Sequence, residues 1–236
     1  MENVNKINFD VVAQKLIETG AFKVNTEDPY LLKTGIASPL YCNCRDLYRF
    51  PEQQKLIMDF LAELVREYYP HCEAIYGTPM SAISFGALVA ERLGLPFGFV
   101  REEQKDHGMN TKIEGPIDDG IRIVQIEDLI TSGTSSLQSV MVLKNAGAEI
   151  LGVASIVDNN FIKSSMLIVN NIEYHSITTM SKIAHYAGEQ RIITAAMFDK
   201  VKSYESNPLD ESWMSLEATE KIFQKRLIKK SNKGKI

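Results

Sequence analysis

Apolar and polar positions change their spacing repeatedly along the chain, and each change predicts an element. Residues 9–19 repeat at helical spacing through Val11, Val12, Leu16 and Ile17, and Gly20 closes that helix. Residues 30–43 read as two short strands about a turn containing Gly35. A long amphipathic helix over 52–69 places Leu56, Ile57, Phe60, Leu61, Leu64 and Val65 on one side, with Pro70 just past its end. Strand 73–76, helix 83–93 closed by Gly94, and strand 95–100 follow. Residues 121–126 are mostly apolar and β-branched, as a strand buried on both faces is. Gln125 interrupts that run and implies one less buried face. A helix with Leu137, Val140, Met141 and Leu143 comes next and stops near Gly147. Strand 151–157, the short apolar run 166–170 and a last strand over 174–177 lead to a helix spanning 182–203. Asn207-Pro208 breaks the pattern, and 215–229 is a final amphipathic segment. Strands and helices alternate through 73–160, so the expected fold is α/β, a doubly wound parallel sheet under a small N-terminal hood. The expected divisions are a hood over 1–50, a core over 51–203, and a helical extension with a basic tail over 204–236.

The chemistry gathers behind the central strand. It ends in two adjacent acids, Glu127 and Asp128, followed two residues later by Thr131, Ser132, Gly133, Thr134 and Ser135. A strand, a small hydroxyl-rich loop and a helix start together form an anion site. The first helical N–H groups are unpaired there, and the helix dipole is positive. Gly133 allows close backbone approach. A plain capped turn needs one acid, whereas two side by side repel and suit the hydroxyls of a sugar or water around a metal. A second anion site is expected at the Gly77-Thr78-Pro79 turn before helix 83–93.

Composition narrows the picture. The chain has 236 residues, 44% of them hydrophobic, with a net charge of −4. No apolar run is long enough to cross a membrane, and residues 1–6 lack a signal-peptide core, so a cytoplasmic protein is expected. The one dense basic run, Lys225-Arg226 onward, is mixed with Ser231, Asn232 and Gly234 and reads as a frayed, solvated end, so no nucleic-acid surface is expected. Cys42, Cys44 and Cys72 are an odd count and read as structural thiols. His175 and His185 read as structural histidines. Residues 101–108 are almost wholly polar and suit a surface loop or a lid.

The segment 121–136 closely resembles the phosphoribosyl pyrophosphate (PRPP) signature of the type I phosphoribosyltransferases: an apolar strand, two acids, two apolar residues and a small hydroxyl-rich loop. Leu-Lys-Thr-Gly-Ile-Ala-Ser-Pro-Leu-Tyr over 32–41 is similar to the N-terminal segment of orotate phosphoribosyltransferases in particular. Lys-Asp-His-Gly over 105–108 is similar to their mobile catalytic loop. The resemblance covers roughly 9–203; the extension beyond Pro208 matches nothing in that family.

The resemblance implies transfer of ribose 5-phosphate from PRPP to orotate, with Mg²⁺ carried by PRPP and no firm protein ligand to it. Glu127 and Asp128 would hold the ribose, residues 131–135 the 5-phosphate, and Thr78 and Ser81 the pyrophosphate. Arg101, Lys105 and His107 would reach the pyrophosphate from a lid shared across a homodimer. Lys33, Tyr41, Thr131 and Asn159 would form the orotate site, and Lys105, His107 and Asp128 are the implied catalytic groups. Four positions depart from the family: Gln125 for an apolar strand residue, Cys42 for an aromatic or aliphatic residue, Glu102 for a second basic residue, and Asn159 for an arginine. Two rival expectations stand beside this one, a transferase for another nucleobase and a PRPP sensor that is not an enzyme.

Overall fold

The computed structural model describes residues 8–32, 34–101, 112–160 and 166–233. In chain order the first elements are α1 (Phe9–Glu18), β1 (Phe22–Val24), β2 (Tyr30–Leu31), β3 (Ala37–Ser38) and β4 (Leu40–Cys42), then a 3₁₀ turn over Cys44–Arg49 and α2 (Pro51–Tyr68). Next are β5 (Ala74–Gly77), α3 (Ile83–Leu93), β6 (Phe97–Val100), β7 (Ile113–Glu114), β8 (Arg122–Ile130) and α4 (Thr134–Asn145). The remainder is β9 (Glu149–Asp158), α5 (Met166–Val169), β10 (Tyr174–Thr179), α6 (Met180–Glu189), α7 (Ala195–Ser206) and α8 (Leu216–Lys233).

Six strands form the central sheet in the order β10-β9-β8-β5-β6-β7. The first five run parallel and β7 closes the edge antiparallel. β8 lies inside the sheet, which is why Ile123, Val124 and Ile126 are buried on successive positions. Helices α1, α2, α3 and α6 bury Leu16, Leu61, Phe85 and Ile183 in one large core. The opposite face is covered by Val140 and Leu143 of α4 and Leu167 of α5. Each fully buried Leu, Ile or Phe contributes about 1.5–3 kcal/mol by leaving water. The sheet is thus doubly wound, as the alternation predicts. Two small antiparallel pairs, β1 with β4 and β2 with β3, make the hood.

Three details differ from the sequence reading. β8 continues to Ile130, so Glu127 and Asp128 lie within the strand and not at its end. Gln125 is fully buried; its amide donates to the Thr78 hydroxyl at 2.6 Å and to the Ser136 carbonyl at 3.2 Å. The helix expected over 182–203 is two helices, because Arg191 takes a left-handed φ of 55° and Thr194 then caps α7 with its hydroxyl.

The C-terminal extension also departs from expectation. α8 is a regular helix on the hood, and Lys225, Arg226 and Lys229 bond to hood backbone or acids rather than trailing in solvent. Below them Ala37, Tyr204, Trp213 and Ile222 form a separate buried cluster. Among the described residues no helix is long and apolar enough to cross a membrane.

Candidate functional site

The carboxyl ends of β5, β8 and β9 open into a cavity of about 820 Å³. One wall comes from β8 and the loop into α4. Gly133 adopts a left-handed φ of 71° and so turns the chain directly into the helix. No side chain caps that helix start, so its N–H groups face the cavity mouth with the dipole's positive end. Thr131, Ser132, Gly133, Thr134 and Ser135 all line the cavity.

Glu127 and Asp128 take different roles because successive strand residues face opposite ways. Glu127 is buried and accepts a 2.7 Å bond from the Ser136 hydroxyl. Burial and the neighbouring Asp128 push its carboxyl well above the usual carboxylate range. Asp128 is partly exposed and accepts from the Ser81 hydroxyl at 2.9 Å and from the Leu129 N–H at 2.9 Å. Ser81 reaches it because β5 runs beside β8 and ends in a tight turn. At Gly77 a Cβ would sit 2.7 Å from the Ile83 backbone, so only glycine lets α3 start that close. Behind Asp128, the Cys44 thiol lies 3.5 Å from its carbonyl oxygen and 3.8 Å from the Cys42 sulfur. The contact with the Cys42 sulfur, and next burial, hold the Cys44 thiol protonated, far above its ordinary range.

The opposite wall is aromatic. Tyr30 and Tyr41 stack with ring centroids 4.9 Å apart and planes 23° from parallel. Asn159, at the end of β9, is buried against the cavity, and its side-chain oxygen lacks a hydrogen-bond partner. One cavity therefore joins an acid pair and an anion-binding loop to a flat aromatic wall with an amide.

The cavity gathers Tyr41, Ser81, Glu127, Asp128, residues 131–135 and Asn159, as the sequence suggests. Two candidates stand apart. The buried Thr78 hydroxyl donates to the Ile126 carbonyl at 3.0 Å and accepts from Gln125, so it knits β5 to β8. Arg101 pairs with Glu114 at 3.0 Å on the sheet edge. Lys33, Lys105 and His107, and Glu102 with them, lie outside the described residues. Sequence reasoning missed Tyr30, Ser136 and Lys225, which meet the cavity or its acids. Tyr30 was within reach, since it precedes the Leu-Lys-Thr-Gly motif by only one residue; nothing local marks Lys225.

A doubly wound sheet with an acid pair and an open helix start at its carboxyl edge defines a protein that binds a phosphorylated sugar. The phosphoribosyl transferase domain family matches residues 44–163. Orotate phosphoribosyltransferases of Bacillus cytotoxicus and Bacillus anthracis are each 34% identical over 205 residues, which is 86% of this chain and 98% of theirs. The chain belongs to the orotate phosphoribosyltransferase family. Among solved structures, orotate phosphoribosyltransferase from Aeropyrum pernix has a TM-score of 0.67 at 27% identity, covering 75% of this chain and 98% of that one. The UMP synthase of Leishmania donovani shares the fold with a TM-score of 0.74 at 21% identity; the match spans 85% of this chain and only 43% of that longer one.

Proposed function

We propose that this cavity transfers ribose 5-phosphate from PRPP to a ring nitrogen of orotate, giving orotidine 5′-phosphate and pyrophosphate. The observation that carries the reading is the pairing, in one cavity, of the Glu127-Asp128 loop site with the Tyr30–Tyr41 wall. The 2- and 3-hydroxyls of the ribose donate to Glu127 and Asp128. The N–H groups and hydroxyls of residues 131–135 hold the 5-phosphate. The planar base lies toward the tyrosines, where Lys33, Tyr41, Thr131 and Asn159 set its orientation.

Breaking the C1–oxygen bond places positive charge on the ribose and negative charge on the departing pyrophosphate. The Asp128 carboxylate beside the ribose opposes the first charge. Arg101, Lys105 and His107 are assigned to the second, from a lid that closes over the neighbouring subunit of a homodimer and excludes water. The oxygen-rich lining of Glu127, Asp128, Thr131 and Ser132 suits a hard cation. The resemblance to the family assigns Mg²⁺ to the diphosphate of PRPP. Bound there, it supplies positive charge to the leaving group.

Mixing the protein with PRPP, Mg²⁺ and a panel of bases tests the reading. Pyrophosphate release with orotate supports it. Release with another base supports the rival transferase, and binding of PRPP without release under any base supports a sensor.

A further inference from the structure

The hood hairpin β2–β3 cannot hold its own shape, because each strand is two residues long and such a pair is marginal alone. Yet Tyr30, Leu31, Leu32 and Thr34 from it line the cavity. Beside the Tyr30–Tyr41 stack, the groups that hold its turn come from α8, beyond residue 203. Lys221, Lys225 and Lys229 recur every fourth residue on α8 and so form one stripe. Lys225 donates to the Asp28 carboxylate and to the Pro29 carbonyl, both at 2.7 Å. Lys229 donates to the Leu32 carbonyl at 2.9 Å, and Arg226, held by Glu211, donates to the Gly35 carbonyl at 3.2 Å. Backbone carbonyls on both sides of the hairpin turn are thus bonded to cations of one helix. That helix is anchored by Ala218 and Ile222, both fully buried.

Lys225 goes further than the other two, since its side chain also lines the cavity. Two of its three ammonium protons are taken by Asp28 and Pro29. It brings a positive charge to the Tyr30 side of the cavity, whereas the Asn159 amide in the same cavity carries none.

We propose that α8 is a working part of the base end of the cavity, with Lys225, Arg226 and Lys229 as positioning residues that set the hairpin, and the tyrosine on it, for the planar anionic base. This rests on the reading of that end as the orotate site. The described side-chain bonds from this helix to the hood fall on Glu27 to Gly35, at the Tyr30 end of the cavity, so its effect is expected on the base and not on PRPP.

The test compares the full-length protein with Lys225→Met and Lys225→Arg in steady-state pyrophosphate release. For Lys225→Met the KM for orotate rises about tenfold, the size expected for losing one or two charge-assisted bonds, while the KM for PRPP is unchanged. Lys225→Arg restores most of the orotate affinity. A merely structural role would lower the melting temperature and the active fraction but leave both Michaelis constants alone; that result, or an equal rise in both constants, overturns the proposal. If Lys225→Met does not fold, the milder Lys225→Gln carries the same expectation. Should the wild-type protein transfer ribose phosphate to another base instead, the orotate reading falls, and the role of α8 is judged by the same comparison on that base.

Discussion

The Ser81 hydroxyl donates to the Asp128 carboxylate across 2.9 Å, joining the turn after β5 to the middle of the site on β8. That bond fixes which way Asp128 points before any ligand arrives. Asp128→Asn keeps the shape but removes the charge. Hydrogen bonds to charged groups contribute about 1.5–3 kcal/mol, so kcat/KM for PRPP should fall roughly ten- to a hundredfold. The melting temperature should stay within a degree or two of wild type. Unchanged PRPP kinetics in a folded Asp128→Asn protein would remove the acid pair from the mechanism.

Glu127 gives a pH signature. Its carboxyl is raised from 4.5 to about 8 in the folded protein, chiefly by burial and next by Asp128. The folded state therefore keeps a proton that the unfolded chain releases. The stability from this group is complete below pH 4.5 and is lost as pH rises through about 8. Thermal melts of ligand-free protein should show Glu127→Gln losing less stability than wild type between pH 5 and pH 8. Parallel melting curves for the two proteins across that range would contradict the buried, protonated acid.

Asn159 lines the cavity, its buried side-chain oxygen has no hydrogen-bond partner, and it brings no charge to an anionic base. Asn159→Arg should lower the KM for orotate by about tenfold, the gap between a neutral and a charge-assisted bond. A direct competition between orotate and uracil checks it; if the variant gains nothing for orotate over uracil, the carboxylate does not lie near residue 159.

The proposal of a lid shared across a homodimer predicts complementation. Lys105→Ala and Asp128→Asn proteins, each impaired, should regain activity when refolded together, since one hybrid site in each heterodimer has both residues intact. Isolated heterodimers that stay as inactive as their parents would place each lid over its own site.

Much of this was legible locally. The run through Ile126, the acids behind it and the Thr-Ser-Gly-Thr loop announce strand, site and helix within sixteen residues. What escaped depends on partners distant in sequence. Gln125 reads as a break in an apolar strand, yet its amide nitrogen finds a partner in Thr78, 47 residues earlier. The bend at Arg191 follows Gly188 by three residues, a weak mark inside an otherwise helical pattern. The lysines of α8 read as a solvated tail because their partners, Asp28 to Gly35, lie almost the whole chain away.

That last separation bears on how the molecule is made. Lys225 and Asp28 are 197 residues apart, so a ribosome adding about 5–20 residues per second needs roughly 10–40 s to follow one with the other. Throughout that interval the nascent sheet can assemble around β8, while the hairpin carbonyls of the hood stay with water. The loop between β8 and α4 can thus be set during synthesis, and the Tyr30 side of the cavity only when α8 emerges and docks.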